Sequence, residues 1–200
     1  MKPMTMKYLN LFFSPILINQ LDLNIDSLIE FCYEMKRKDE KGVEITNVGG
    51  WQSDNVVHET HEEFTKLVTE VKKNANQYHS DVDFKKEYEQ KIGNIWININ
   101  GKGHSNKDHV HQFSVLSGCF YLTDSKFPII FNHPYADITN YYWGEEVIEN
   151  WNAINSGTWK VSSDRNTLLI FPSWLKHSVA MNKEDSDRIS MSFNTQFDLQ

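Results

Sequence analysis

Three observations predict a mainly β fold, a jelly roll with two N-terminal helices packed on one of its sheets. Beyond Gly93 the chain breaks into short β-rich runs separated by turn residues, the texture of an all-β sandwich or barrel. Two of those runs divide by parity into one very apolar and one polar face. Ahead of Gly93 the strong periodicities are helical. With 200 residues, 40% hydrophobic content and 26 aromatic side chains, one domain over 1–200 is the economical reading. Residues 1–92 then form a helical support and 93–200 the jelly-roll core.

The formal charge of −7 argues against a general nucleic-acid binder, which needs a basic footprint to meet phosphate. Cys32 and Cys119 lie far apart in core-like stretches, so buried free thiols in a reducing compartment are expected rather than a disulfide. No apolar run is long enough for a bilayer, and the amino terminus lacks a basic start leading into an apolar stretch. A soluble, cytoplasmic protein without a membrane partner is therefore expected.

Leu9 to Ile18 is apolar around Ser14-Pro15, as in an edge strand or covering arm. Ile25, Leu28, Ile29, Cys32 and Met35 mark a first helix, closed by the charged run Lys36 to Lys41 and Gly42. Asn47 to Ser53 reads as a loop holding Trp51, either lining a pocket or plugging the core. Thr60 and Glu63 have the spacing of a capping box for a second helix with a buried stripe of Phe64, Leu67, Val68, Val71, Ala75 and Tyr78. His58, His61 and His79 read as solvent-facing polar residues with no role, and residues 80–92 as a charged connector.

The expected strands are Asn94 to Asn100, His109 to Thr123, Pro128 to Asn132, Thr158 to Ser162, Thr167 to Phe171, His177 to Met181 and Arg188 to Phe197. Tyr135 to Asn155, rich in aromatics and acids, interrupts them, and long insertions between strands often carry binding. In the last strand Ile189, Met191, Phe193, Thr195 and Phe197 share one face; Arg188, Ser190, Ser192, Asn194 and Gln196 share the other. Ile95, Ile97 and Ile99 oppose Trp96, Asn98 and Asn100 in the same way. Each polar face looks either into a wet pocket or out to solvent.

Asp108-His109-Val110-His111 is the stretch that points to chemistry. In an extended backbone His109 and His111 project from one face, and with His177 they make three imidazoles able to hold a divalent metal with positions left open. An H-x-H pair alone is weak evidence. Arg188, eleven residues after His177, offers a planar fork to a carboxylate, with Ser190 on the same strand face. The bland alternative for Arg188 is a surface ion pair with Asp185 or Asp187. His104 and His133 carry no spacing that requires ligation.

Trp96-Ile97-Asn98, His109-Val110-His111, the stretch Leu116 to Leu122, the stretch Phe171 to His177 and the stretch Arg188 to Asn194 resemble the 2-oxoglutarate- and Fe(II)-dependent oxygenases. The likeness is to a subfamily of marine bacteria and their phages, and it covers most of the chain. It implies a cupin-like double-stranded β-helix, Fe(II) and 2-oxoglutarate as cofactors, and a facial triad usually written His-x-Asp/Glu…His. His109 and His177 take the two histidine places. His111 stands where the family norm has a carboxylate, and either ligates in a three-histidine site or yields to water, with Asp108 as the second choice of oxygen ligand. Arg188 matches the residue that holds the distal carboxylate of 2-oxoglutarate and Ser190 its hydroxyl partner; Asn98 and Tyr121 are further hydrogen-bond donors to it. The implied reaction is hydroxylation, with release of succinate and CO2, in the cytoplasm of a bacterium or a phage-infected cell.

Two rivals stay open on the residues: a three-histidine cupin-type dioxygenase or isomerase that does without 2-oxoglutarate, and a non-enzymatic jelly-roll binding module using the aromatic insertion. A small-molecule, peptide or protein substrate fits the acidic balance better than nucleic acid. The edge strands and the amino-terminal arm leave a homodimer open.

Overall fold

The computed structural model describes residues 11, 12 and 14–199. In chain order the elements are β1 (Leu17–Gln20), α1 (Ile25–Lys38), β2 (Asn47–Val48), β3 (Trp51–Gln52), α2 (Glu62–Asp81), β4 (Tyr88–Asn100), β5 (Ser105–His109), β6 (Leu116–Tyr121), β7 (Ser125–Asn132), α3 (Ala136–Tyr142), β8 (Thr158–Ser163), β9 (Thr167–Pro172), β10 (His177–Val179) and β11 (Arg188–Leu199). They build two antiparallel sheets, a larger one ordered β1-β9-β6-β11-β4-β3 and a smaller one ordered β2-β5-β10-β7-β8. This is the mainly β jelly roll that the sequence predicts. The edge strand expected within Leu9 to Ile18 is seen only at its end, where Leu17 begins β1; Leu9, Asn10 and Phe13 lie outside the described residues.

Helix α1 starts at an Asn24 cap whose side chain accepts from the Ser27 amide, with Asp26 in the first turn and Lys36, Arg37 and Lys38 in the last, each charge placed to suit the helix dipole. Helix α2 begins differently from the expectation. Its cap is His61, whose Nδ1 accepts from the Phe64 amide at 3.3 Å, and Thr60 plays no part in it. Glu63 does not complete a box within its own helix; its Oε1 accepts from the backbone amide of Asn24 at 2.8 Å and ties the starts of the two helices together.

The buried stripes of both helices meet Ile95, Ile97, Ile99, Ile189, Met191 and Phe193 of the larger sheet in one core. Each fully buried side chain of this size contributes about 1.5–3 kcal/mol through removal of apolar surface from water. The parity expected for the two strands therefore holds: their apolar face carries the helices, and their polar face looks the other way, between the sheets.

Two expectations are corrected here. The charged stretch 80–92 is not all connector, because α2 runs to Asp81 and β4 starts at Tyr88. Its inward polar residue Gln90 is fully buried yet bonded to His79, Thr195 and Asn76, a side-chain network that no hydrophobic pattern reveals. His79, read as surface, is 6% exposed as part of that network. The β4–β11 ladder shifts register at Gly93, since Asn94 faces Asn194 but Ile92 faces Thr195.

The loop at residues 47–53 crosses from one sheet to the other. Asn47 and Val48 pair with β5 in the smaller sheet, Trp51 and Gln52 with β4 in the larger, and Gly49 and Gly50 between them hold φ of 64° and 72°. Trp51 is a core plug, its Nε1 donating to the Asp39 carbonyl at 2.7 Å, while Gln52 and Ser53 line the cavity between the sheets. Both readings of this loop are thus correct. Cys32 and Cys119 are buried and free. No helix among the described residues is long and apolar enough to cross a membrane.

Candidate metal and co-substrate site

The predicted single strand from His109 to Thr123 is two strands in different sheets. β5 ends at His109, the chain turns over through Phe113 with φ of 62°, and β6 starts at Leu116. His111 therefore does not share a strand face with His109. It is placed by the turn, where its amide donates to the Ser173 carbonyl at 3.0 Å and the Val115 amide donates to Thr195.

The three rings nevertheless converge. His109 pairs with His177 across β5 and β10, and their ring centroids lie 4.4 Å apart. His111 Nε2 is 3.3 Å from His177 Nε2, and one ring nitrogen from each of the three histidines lies within 4.8 Å of the others. His109 Nδ1 donates to the Lys107 carbonyl at 2.7 Å and His177 Nδ1 to the Leu175 carbonyl at 2.8 Å. Those bonds put the proton on Nδ1 and present the Nε2 lone pairs to the space between the rings. Burial is the main cause that lowers all three pKa values, His111 to about 3 and His177 to about 4; repulsion from the other imidazoles adds to it at His111 and His177, whereas at His109 the Lys107 carbonyl and Asp108 oppose it. Neutral imidazoles are the coordinating form.

Asp108, the second choice of ligand, faces away. Its carboxylate accepts from Asn132 Nδ2 at 3.2 Å and lies 3.8 Å from Lys176 Nζ, outside the histidine group. His104 and His133 serve local turns, accepting from the amides of Gly101 and Tyr135.

Arg188 is 3% exposed. Its Nη1 donates to the carbonyls of Phe127 and Ala180, whereas Nη2 is buried with no hydrogen-bond partner. Neither neighbouring acid reaches it: Asp187 accepts from the Tyr33 hydroxyl at 2.8 Å and Asp185 pairs with Lys102. Among the described residues no carboxylate compensates this guanidinium. A buried ionised donor left unmade costs about 1–3 kcal/mol or more, so the fold keeps it at the expense of stability.

Arg188 and the histidines line one cavity of about 280 Å³ between the sheets. The β4–β11–β6 ladder sets their order. Arg188 faces Asn100 on one rung, Ser190 faces Asn98 and Tyr121 on the next, and Ser192 faces Trp96 and Cys119 on the third. Trp96 packs against His111 with ring centroids 5.7 Å apart. The Arg188 backbone thus sits two rungs from the level of Trp96, about 13–14 Å along the strand at 3.4 Å per residue before side chains reach inward. Asn98 spends a donor on the Ser192 hydroxyl at 3.0 Å. Burial holds the Tyr121 hydroxyl protonated, as a donor, beside Cys119.

Trp96 as a ring wall and Asn194, oriented by the Ser117 hydroxyl at 2.7 Å, also line the cavity and had no assigned role. Their signal lies in the parity of β4 and β11, whose cavity-facing positions are Asn94, Trp96, Asn98 and Asn100 on one strand and Arg188, Ser190, Ser192 and Asn194 on the other.

The donor set fits a divalent metal, and the unpaired Nη2 fits a carboxylate beside it. The family described as "Putative 2OG-Fe(II) oxygenase" matches residues 94–194, just over half of the chain. The chain belongs to this 2OG-Fe(II) oxygenase family. Solved structures share the oxygenase's fold at low identity. The non-heme alpha-ketoglutarate-dependent carbocyclase SnoK from nogalamycin biosynthesis aligns with TM-score 0.66 and 12% identity over 91% of this chain and 79% of its own. A Pseudomonas putida prolyl-4-hydroxylase gives 0.59 and 12% over 90% and 91%. A Trichoplax adhaerens prolyl hydroxylase in complex with a hypoxia inducible factor peptide fragment gives 0.60 and 12% over 90% and 83%. No curated protein sequence matches the oxygenase.

Proposed function

We propose that this oxygenase is a 2-oxoglutarate- and Fe(II)-dependent dioxygenase that hydroxylates a small molecule, peptide or protein, with one domain spanning 1–200. His109, His111 and His177 hold the iron; Arg188 and Ser190, with Asn98 and Tyr121, hold 2-oxoglutarate. The observation that carries the reading is the buried, unpaired Nη2 of Arg188 in the same cavity as the three imidazoles. A dianionic co-substrate supplies the missing carboxylate at one end and chelating oxygens at the other. Family membership supports the same pair of cofactors.

When bound, the iron and its co-substrate supply the oxidation: dioxygen gives one oxygen atom to the substrate C–H bond and one to the succinate formed with CO2. The chain's own residues do the rest. The Lys107 and Leu175 carbonyls fix two imidazole tautomers. Arg188 pairs with the distal carboxylate, the buried Tyr121 donates to it, and Trp96 walls the space next to His111.

An all-imidazole donor set is also what a three-histidine cupin dioxygenase would use, and Arg188 separates the two readings. The test is anaerobic titration of the Fe(II)-loaded protein with 2-oxoglutarate. The weak visible charge-transfer band of keto-acid chelation is expected, together with slow substrate-free conversion to succinate in air. No band, no 2-oxoglutarate affinity and an Arg188→Ala variant identical to the parent would sink the proposal.

A further inference from the structure

Between β7 and β8 the chain carries a segment that the site does not use. From His133 to Trp159 it contains four carboxylates, Asp137, Glu145, Glu146 and Glu149, and no lysine or arginine. Its helix, α3, buries none of its residues: Ile138 is 59% and Tyr141 81% exposed. Tyr142, Trp143, Val147 and Ile154 are exposed as well, and Tyr141 and Tyr142 meet edge to face at 4.9 Å. A helix with its apolar and aromatic side chains in water lacks the partner that normally covers such a face.

The segment springs from strands next to the metal candidates. Phe131, near the end of β7, pairs with His177 on one side and Trp159 on the other. At the root of the insertion lies a second hollow of about 590 Å³, lined by Asp137, Asn140 and Trp151 and by Lys176, the residue before His177. Lys176 is already engaged by Asp108.

We propose that residues 133–159 are the docking surface for a lysine- and arginine-rich polypeptide segment. On the oxygenase reading above, that segment is, or flanks, the substrate. Carboxylates that no lysine or arginine of their own segment offsets attract Lys and Arg, and exposed Tyr and Trp faces accept the same side chains through cation–π contact. The other candidate occupants fit the charge badly. A second copy of this chain would bring eight carboxylates together, and phosphate backbones or anionic lipid would be repelled in the same way.

Fluorescence anisotropy of a short labelled peptide of Lys, Arg and Gly tests this, with its Glu counterpart as control, on the full chain with and without Fe(II) and 2-oxoglutarate. The basic peptide is expected to bind, more weakly as salt rises, and the Glu peptide not to bind. Glu145→Gln/Glu146→Gln/Glu149→Gln together should weaken binding about tenfold, and Trp143→Ala more than Trp143→Phe, with circular dichroism unchanged. Equal binding of both peptides, or undiminished binding by the triple variant, overturns the proposal. So does self-association or anionic-vesicle binding that the same variants abolish. Docking measured without metal is independent of the oxygenase reading, which substrate-free succinate formation by the triple variant checks separately.

Discussion

His109 and His177 face each other in register across adjacent antiparallel strands, and that single rung positions two of the three imidazoles. A slip of one residue would turn either ring to the outer face, where Asp108 and Lys176 now point. The third ring depends on a turn rather than a strand, held by the backbone bond from His111 to Ser173.

Replacing either strand histidine should therefore remove metal affinity without unfolding the sheet. His109→Ala and His177→Ala are each expected to weaken Fe(II) or Co(II) binding by more than about 100-fold, beyond the loss typical of outer-sphere partners. Calorimetric titration measures this, and the metal-dependent rise in melting temperature should vanish with it. Retained metal stabilisation in both variants would place the metal elsewhere.

Arg188→Ala should weaken 2-oxoglutarate binding to the metal-loaded protein roughly ten- to hundredfold, the range of a hydrogen bond to a charged group. Arg188→Lys should recover only part of it, because an ammonium keeps the charge but not the planar fork. Metal affinity without 2-oxoglutarate should stay at the parent level in both. A co-substrate titration of each variant decides the matter.

How much of this was legible follows from the physics of each signal. Ile95, Ile97 and Ile99 against Trp96, Asn98 and Asn100 were readable because period-2 alternation survives wherever one face is buried. The break between β5 and β6 was not, since Val110, Phe113 and Val115 are as strand-prone as the residues around them and only φ of 62° at Phe113 marks the turn. Arg188, just after Asp185 and Asp187, reads equally well as a surface ion pair in the sequence; in the fold Tyr33 and Lys102 take the two acids. Gln90 was hidden because its burial rests on a hydrogen-bond network, not on hydrophobicity.

Gly49 and Gly50 carry the chain between the two sheets, both at positive φ. A Cβ at Gly49 would meet the His104 ring and one at Gly50 the Asn100 side chain. Gly50→Ala is thus expected to destabilise by more than about 1 kcal/mol, exceeding the usual gain from restricting the unfolded chain. It should also disturb co-substrate binding, because Asn100 shares a rung with Arg188. Urea unfolding and 2-oxoglutarate titration read the two effects.

Glu63 links the starts of α1 and α2, and its carboxyl is held below the ordinary carboxylate value by the Asn24 amide first and by Lys66 second. A lowered folded pKa means that the unfolded chain binds more protons at acid pH. The stabilisation is therefore present above the ordinary carboxylate pKa and is lost as pH falls through the folded value. Glu63→Gln should be less stable than the parent at pH 7, with the difference closing under acid. A series of denaturant midpoints between neutral and acid pH checks this; a constant gap would mean that the charge contributes nothing.

His111→Asp asks what the third imidazole does. On the proposed ligand set, three neutral donors leave the charge of a divalent ion uncompensated, so the metal attracts a dianionic co-substrate more strongly than a site with one carboxylate would. The substitution should tighten metal binding in competition with a chelator, because an anionic oxygen replaces a neutral nitrogen. It should weaken 2-oxoglutarate binding to the loaded protein, since the added negative charge stands beside the keto-acid end in a site of low dielectric. The smaller side chain also leaves Trp96 without the ring it packs against, which His111→Asn controls for at equal size and no charge. If Asp and Asn variants shift both affinities alike, packing rather than charge is what His111 supplies.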